Sequence, residues 1–359
     1  MTHFRPLLLA IPALSLALLV ASCGGDETDS NVDATPTQGL ADPGEPGPYA
    51  VGVTEMTFEK TSVTTNQPRA LRTVIWYPAK DSAKDATLDE TLGAVRDAKP
   101  ARDKAPLPII VWSHGAGADY PYAHPYYATH LASHGFVVVA PQHPGNNNNK
   151  AECQTGTGCT PAGMTDSYLN RTADLVFTVA EISKVNDDQS SPFYQILDMK
   201  RVGISGYSFG GNTTVRLSET PPGEPFSAAL TIAPCTKEAV EPPDKVTMPL
   251  LITVGDKDTR CVSSFDKTFF EGISDSLPHF LLVFPSADHP TFAQKCPLPF
   301  PDLYCGKDNL DLEKAHHFIN LYSTAFFKTY LAGETGYSAY LDQSAAMDDA
   351  DVVFTAHMP

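Results

Sequence analysis

Residues Gly206-Tyr207-Ser208-Phe209-Gly210-Gly211 carry the pattern G-x-S-x-G. An apolar run at 201–205 precedes it and a helix-compatible stretch at 212–217 follows. Strand, tight turn and helix in that order push the Ser208 side chain out of the turn, where its hydroxyl can serve as a nucleophile. Side chains two residues to either side would strike the neighbouring strand or helix, so glycine suits both places. Chance alone gives about 0.1 such matches in a chain of this length and composition, so the flanking elements must decide. A serine hydroxyl is a poor nucleophile at its free pKa. It needs a general base, and the base needs an acid to orient it. Gly255-Asp256-Lys257-Asp258 follows the apolar run 250–254, and Pro285-Ser286-Ala287-Asp288-His289 follows the run 280–284. His289 is the candidate base. The strand–G-x-x-D spacing favours Asp258 as the acid, with Asp256 in the same turn as the alternative. Such chemistry also builds up charge on a carbonyl oxygen, which needs preorganised donors. The Phe209 N–H is one candidate. Ala116 N–H is the other, in the loop His114-Gly115-Ala116-Gly117 beyond the apolar run 107–113.

These residues need a scaffold that brings several strand ends together. The runs 107–113, 136–140, 202–205, 228–233, 250–254 and 280–284 are continuously apolar and alternate with helix-compatible stretches at 122–134, 166–185 and 310–331. That pattern predicts a mostly parallel sheet with helices on both faces, its ligand site at the carboxyl ends of the strands. Gly135 is the expected stop of the first helix and Asp166 the expected N-cap of the second. Segments 49–58 and 70–77 read as an edge hairpin, 81–104 as an exposed, charged excursion, and 142–165 as an insertion. Trp112 reads as core, and His316 and His317 as packing and surface residues of the last helix.

The 359-residue chain has a net charge of −17. Arg5 and the apolar stretch 7–20 have the layout of an export signal. Removal of residues 1–22 takes away Arg5 alone among the charges, leaving 24 cations against 42 acids. So acidic a chain is a poor partner for nucleic acid. Val20-Ala21-Ser22-Cys23 resembles a bacterial lipobox, which implies lipidation of Cys23 and attachment to a membrane. Gly24 in place of Asp points away from inner-membrane retention, toward the outer membrane, cell surface or periplasm, with secretion if the lipobox is unused. Residues 23–48 then form a disordered tether, 49–335 the folded domain, and 336–359 a C-terminal tail.

Six further cysteines, an even number in an exported chain, suggest disulfides. Proximity favours Cys153–Cys159 and Cys296–Cys305, leaving Cys235–Cys261, out of 15 pairings that six cysteines allow. Loop closure would make these worth about 2.4, 2.7 and 3.6 kcal/mol respectively. A zinc site is the rival reading, but no C-x2-C pair is present. No metal is expected.

The segments Ser113-His114-Gly115-Ala116-Gly117 and 131–139 resemble those of bacterial α/β-hydrolases. One related set comprises the platelet-activating-factor acetylhydrolase and dienelactone-hydrolase-like proteins, and another the cutinase-like polyesterases. Val74-Ile75-Trp76-Tyr77-Pro78 and Arg171-Thr172-Ala173-Asp174 look more like the first set. The resemblance runs in order from about residue 50 to 332. It implies an α/β-hydrolase fold and a cofactor-free esterase whose Ser, Asp and His follow in that chain order. Dienelactone hydrolases proper use cysteine; Ser208 departs from that and argues for ordinary esters. Many such enzymes carry a helical cap, but the short stretch 235–248 leaves no room for a large one. The expected substrates are short-to-medium acyl esters or acetylated or oxidised phospholipids, with a polyester as the alternative. Amide cleavage by the same residues, and a non-catalytic binding lipoprotein, are the other readings. A monomer is expected.

Overall fold

The structure is a computed structural model and describes residues 40–117, 124–146, 161–219, 225–237, 241–293, 309–343 and 350–359. Among the described residues ten strands form one sheet: β1 Ala50–Thr61, β2 Pro68–Ala79, β3 Val95–Arg96, β4 Leu107–Ser113, β5 Val137–Pro141, β6 Leu197–Tyr207, β7 Phe226–Ile232, β8 Leu250–Gly255, β9 His279–Phe284 and β10 Val353–His357. Their order is β10-β9-β8-β7-β6-β4-β5-β2-β1-β3. Strands β4 to β9 run parallel, while β2 joins β5 and β10 joins β9 in antiparallel fashion.

Among the described residues the α-helices are α1 Pro125–Ser133, α2 Pro161–Asp187, α3 Phe209–Ser218, α4 Ser263–Glu271 and α5 Leu312–Tyr330. Strand periodicity sorts the apolar runs onto two faces even though every residue is buried. In β4, Ile110 and Trp112 pack with α1 and α5 residues such as Tyr127 and Phe318. Ile109 and Val111 pack with Leu175 and Val179 of α2 and Phe269 of α4. The chain leaves β4 for β5 on one side, then crosses back past β4 to β6. Right-handed crossovers in opposite directions put α1 and α2 on opposite faces and open a crevice at the β4/β6 carboxyl ends.

Several local expectations are corrected. The segment 81–104 is not simply exposed: Leu92, Ala94 and Ala101 are buried, β3 pairs with β1, and Trp76 Nε1 donates to Leu92 O at 2.9 Å. Asp166 is no N-cap, because α2 already begins at Pro161. Its carboxylate instead meets Arg69 Nη1 at 3.1 Å and the Thr64 hydroxyl. Helix α1 begins at Pro125, with Gly135 (φ 101°) past its end as expected. The segment read as a tail supplies a 3-10 turn, Thr335–Leu341, and the edge strand β10. The end of the expected tether also docks: Pro43 O and Glu45 O meet His130 and His134 Nε2 at 2.9 and 2.8 Å. Among the described residues no helix is long and apolar enough to cross a membrane.

Candidate active site

Ser208 sits between β6 and α3 with φ 55° and ψ −118°, a conformation that a side chain seldom adopts. Its own N–H donates to Ile232 O at 2.8 Å, and its C=O accepts from Asn212 N–H at 2.9 Å. Glycine is required on both sides: a Cβ on Gly206 would strike Gly210 O, and one on Gly210 would strike Ser113 O. The strain at Ser208 is therefore held by the strand before it, the helix after it and the loop beyond β4.

Residues from three turns meet there. His289 Nε2 lies 2.8 Å from Ser208 Oγ, and His289 Nδ1 lies 2.6 Å from Asp258 Oδ2. A carboxylate only accepts, so Nδ1 carries the proton and Nε2 presents its lone pair to the serine hydroxyl. Asp258 is itself pinned, its Oδ1 accepting the N–H groups of Arg260 and Cys261, both at 2.8 Å. His289 is fixed through its main chain, since Tyr207 O–H donates to His289 O at 2.9 Å. Asp288 adds a capping box with Thr291 around the turn Pro290 begins to close. The alternative acid, Asp256, points elsewhere: it accepts from Ser263 Oγ at 2.8 Å and Lys267 Nζ at 2.6 Å. The sequence spacing favours Asp258 over Asp256, and of the two it is Asp258 that lies against His289.

Phe209 opens α3, so its N–H has no carbonyl one turn back within the helix. The 114–117 loop lies alongside, a Cβ on Gly115 reaching to 3.5 Å from Ser208 Cβ. Cys235 and Cys261 are disulfide-bonded, tying the end of β7 to the turn that carries Asp258. Cys23, Cys153, Cys159, Cys296 and Cys305 lie outside the described residues. His316 packs as expected, stacked on Tyr126 with ring centroids 3.5 Å apart and bonded to Ala293 O.

Sequence reading missed a buried polar network behind this site. Asp174 of α2 accepts from Arg69 (2.8 Å), Lys60 (3.2 Å) and His143 Nδ1 (2.9 Å). Burial pushes its carboxyl up, but the bonds from His143 and Arg69 outweigh that and hold it well below the usual range. His143 Nε2 meets Ser113 Oγ at 3.1 Å, and Arg171 Nη1 donates to Ser113 Oγ and His114 O at 3.1 and 2.6 Å. Burial, reinforced by Arg171, lowers His143 to about 3. The available signal was R-x-x-D, which puts Arg171 and Asp174 on neighbouring positions of one helix face. Two groups of metal-binding residue types also cluster among the described residues. In the first, Cys261 is bonded to Cys235, and Asp258 and His289 hold each other. In the second, the His279 and His357 rings stack only 13° from parallel, so their lone pairs do not converge on one point beside Asp275.

A doubly wound, mostly parallel sheet with a strained serine turn at its switch point defines an α/β-hydrolase. A model of the dienelactone hydrolase family matches residues 94–331, and the chain belongs to that family. Cutinase est1 of Thermobifida alba is 27% identical over 212 residues, 59% of this chain and 56% of its own length. The chain thus spans little more than half of that relative. Platelet-activating factor acetylhydrolase of Cavia porcellus is 26% identical over 352 residues, covering 79% of this chain and 77% of its own. A ferulic acid esterase from Streptomyces cinnamoneus shares the fold with a TM-score of 0.60 at 18% identity, over 88% of this chain and 98% of that one.

Proposed function

We propose that the protein hydrolyses carboxylic esters through an acyl-enzyme. The observation that carries this reading is His289 bridging Ser208 Oγ at 2.8 Å and Asp258 Oδ2 at 2.6 Å. Ser208 attacks the ester carbonyl while its proton passes to His289 Nε2. Asp258 steadies the imidazolium so formed. The Phe209 and Ala116 N–H groups receive the oxyanion, each worth on the order of 10²–10³ in rate. His289 then returns the proton to the leaving alcohol, and water attacks the acyl-enzyme by the same route in reverse. No step calls for a cofactor.

The substrate is a short-to-medium acyl ester or an acetylated or oxidised phospholipid. The acetylhydrolase relative supports this, as does the short connection of residues 233–249 between β7 and β8, which leaves no room for a large cap there. Met164 and Leu169 on α2, with Val262 and Phe265 at the start of α4, are exposed apolar side chains on segments that start from the carboxyl-end rim. They suit a substrate presented at an interface. The cutinase relatives favour a second reading, a polyester. Cys23 holds the enzyme at a bacterial membrane surface, and Cys153–Cys159 and Cys296–Cys305 are two further disulfides.

The test is a panel of p-nitrophenyl esters from acetate to palmitate, an oxidised phospholipid and a polyester film. Ser208→Ala should lower ester turnover by on the order of 10⁶ and abolish labelling by a fluorophosphonate. Wild-type-like turnover in that variant refutes the assignment. A mature N-terminus free of lipid in mass spectrometry refutes the anchor.

A further inference from the structure

The 114–117 loop is held peptide by peptide. The His114 C=O accepts from Arg171 Nη1 at 2.6 Å. The Gly115 C=O lies 2.7 Å from His114 Nδ1. The Gly117 N–H donates to Asn146 Oδ1 at 2.8 Å. One further bond fixes the His114 tautomer. The main-chain N–H of His143, which can only donate, points at His114 Nε2 from 3.0 Å. Nε2 must therefore carry the lone pair and Nδ1 the proton. His114 is thus a neutral imidazole that donates to the carbonyl of the next residue. Its proton affinity agrees, since burial first and then Arg171 hold it well below the ordinary histidine range.

The Gly115 C=O and the Ala116 N–H belong to one planar trans peptide, so they point in opposite directions. Whatever holds the carbonyl aims the N–H. We propose that His114 is a positioning residue for the oxyanion site: its Nδ1–H holds Gly115 O and thereby turns the Ala116 N–H toward the space above Ser208. Arg171 ties the two donor segments together, for its guanidinium also lies over the Phe209 ring, 4.4 Å from the centroid. This inference rests on the ester-hydrolase reading and adds a residue that the three-residue relay does not contain. His114 touches no substrate and acts through the peptide beyond it.

Asparagine and glutamine separate this role from simple packing. In His114→Asn the side-chain amide nitrogen would occupy the place of the imidazole Nδ1 and keep a donor for Gly115 O. In His114→Gln the longer amide reaches instead toward the position of Nε2 and the His143 N–H. The experiment compares wild type, His114→Asn, His114→Gln and His114→Ala by ester kinetics, by affinity for a tetrahedral alkyl boronate and by melting temperature. We expect His114→Gln and His114→Ala to lose on the order of 10²–10³ in kcat with KM within about threefold, and boronate affinity to fall in parallel. His114→Asn should stay within about tenfold of wild type. A glutamine variant as active as the asparagine one, or a loss confined to KM, overturns the proposal. If the variants fail to fold, the ¹⁵N resonances of His114 in the wild type decide: a neutral Nδ1–H ring at pH 7 supports it, and an Nε2–H tautomer or an imidazolium overturns it. Absence of ester turnover in the wild type would instead defeat the functional reading.

Discussion

Replacing both Cys235 and Cys261 by serine tests whether the disulfide braces the turn that carries Asp258. The two residues are 26 apart in sequence. Closing a loop of that size in the unfolded chain corresponds to roughly 3.5 kcal/mol of stability. With about 2.1 cal/mol/K of unfolding entropy per residue over roughly 300 folded residues, that lowers the melting temperature by about 6 °C. A catalytic effect should accompany it. Cys261 supplies one of the two main-chain N–H groups on Asp258 Oδ1, so loosening Cys261 loosens the acid that orients His289. Turnover should fall by roughly three- to tenfold at temperatures well below melting, a ΔΔG‡ of about 1 kcal/mol. The double variant is preferable to a reducing agent, which would also reach any bond among the other cysteines. The assay is a thermal melt paired with initial rates on a p-nitrophenyl butyrate series. A melting temperature within about 1 °C of wild type, together with unchanged kcat, would refute the brace, since both effects follow from the one covalent link.

Three further outcomes are expected. Asp258→Asn should reduce kcat by on the order of 10⁴ whereas Asp256→Asn leaves it within about twofold; equal losses in steady-state assays would undo the choice between them. Burial holds His124, His130 and His143 neutral, each with its pKa lowered to about 3, so the unfolded chain takes up their protons first as pH falls. Their stabilisation is complete above about pH 6.5 and erodes below it, by about 1.4 kcal/mol per pH unit for each group near pH 5. Urea titrations at pH 7, 6 and 5 should show this steep decline, and a flat profile above pH 4.5 would contradict it. Finally, Phe354→Ala in β10 should cost about 3–5 kcal/mol, because the ring is buried among Phe280 and Tyr322; an effect under 1 kcal/mol in denaturant melts would return the segment to a loose tail.

The candidate site residues were legible because each follows a strand that ends in a continuously buried run. Ser208, Asp258, His289 and the 114–117 loop stand just past β6, β8, β9 and β4, and continuous burial marks β4, β8, β9 and the last six residues of β6. Edge elements were not legible for the opposite reason. In β10 only Phe354 is well buried, and β3 is two residues long, so neither shows a period. The start of α2 was misjudged because Asp166 has the composition of a cap, whereas in the fold its carboxylate answers Arg69 from another strand. The Asp174 network left the faintest trace. Its members come from β1, β2, the end of β4, α2 and the turn after β5, and no local spacing connects Lys60, Arg69, Ser113, His143 and Arg171.

That dispersal has a kinetic meaning. Asp174 joins the edge hairpin to the segment after β5, and through His143, Ser113 and Arg171 to the loop beside Ser208. These partners come from four separate stretches of the chain (the edge hairpin, the end of β4, the segment after β5, and α2), so the network closes only after the slow, long-range pairings of the sheet are complete. A chain that had formed its central strands but not yet docked the hairpin would hold the serine turn with an unsecured loop beside it. Hydrolytic competence should therefore arrive late and all at once during refolding, and disappear together with the edge hairpin when the protein is heated.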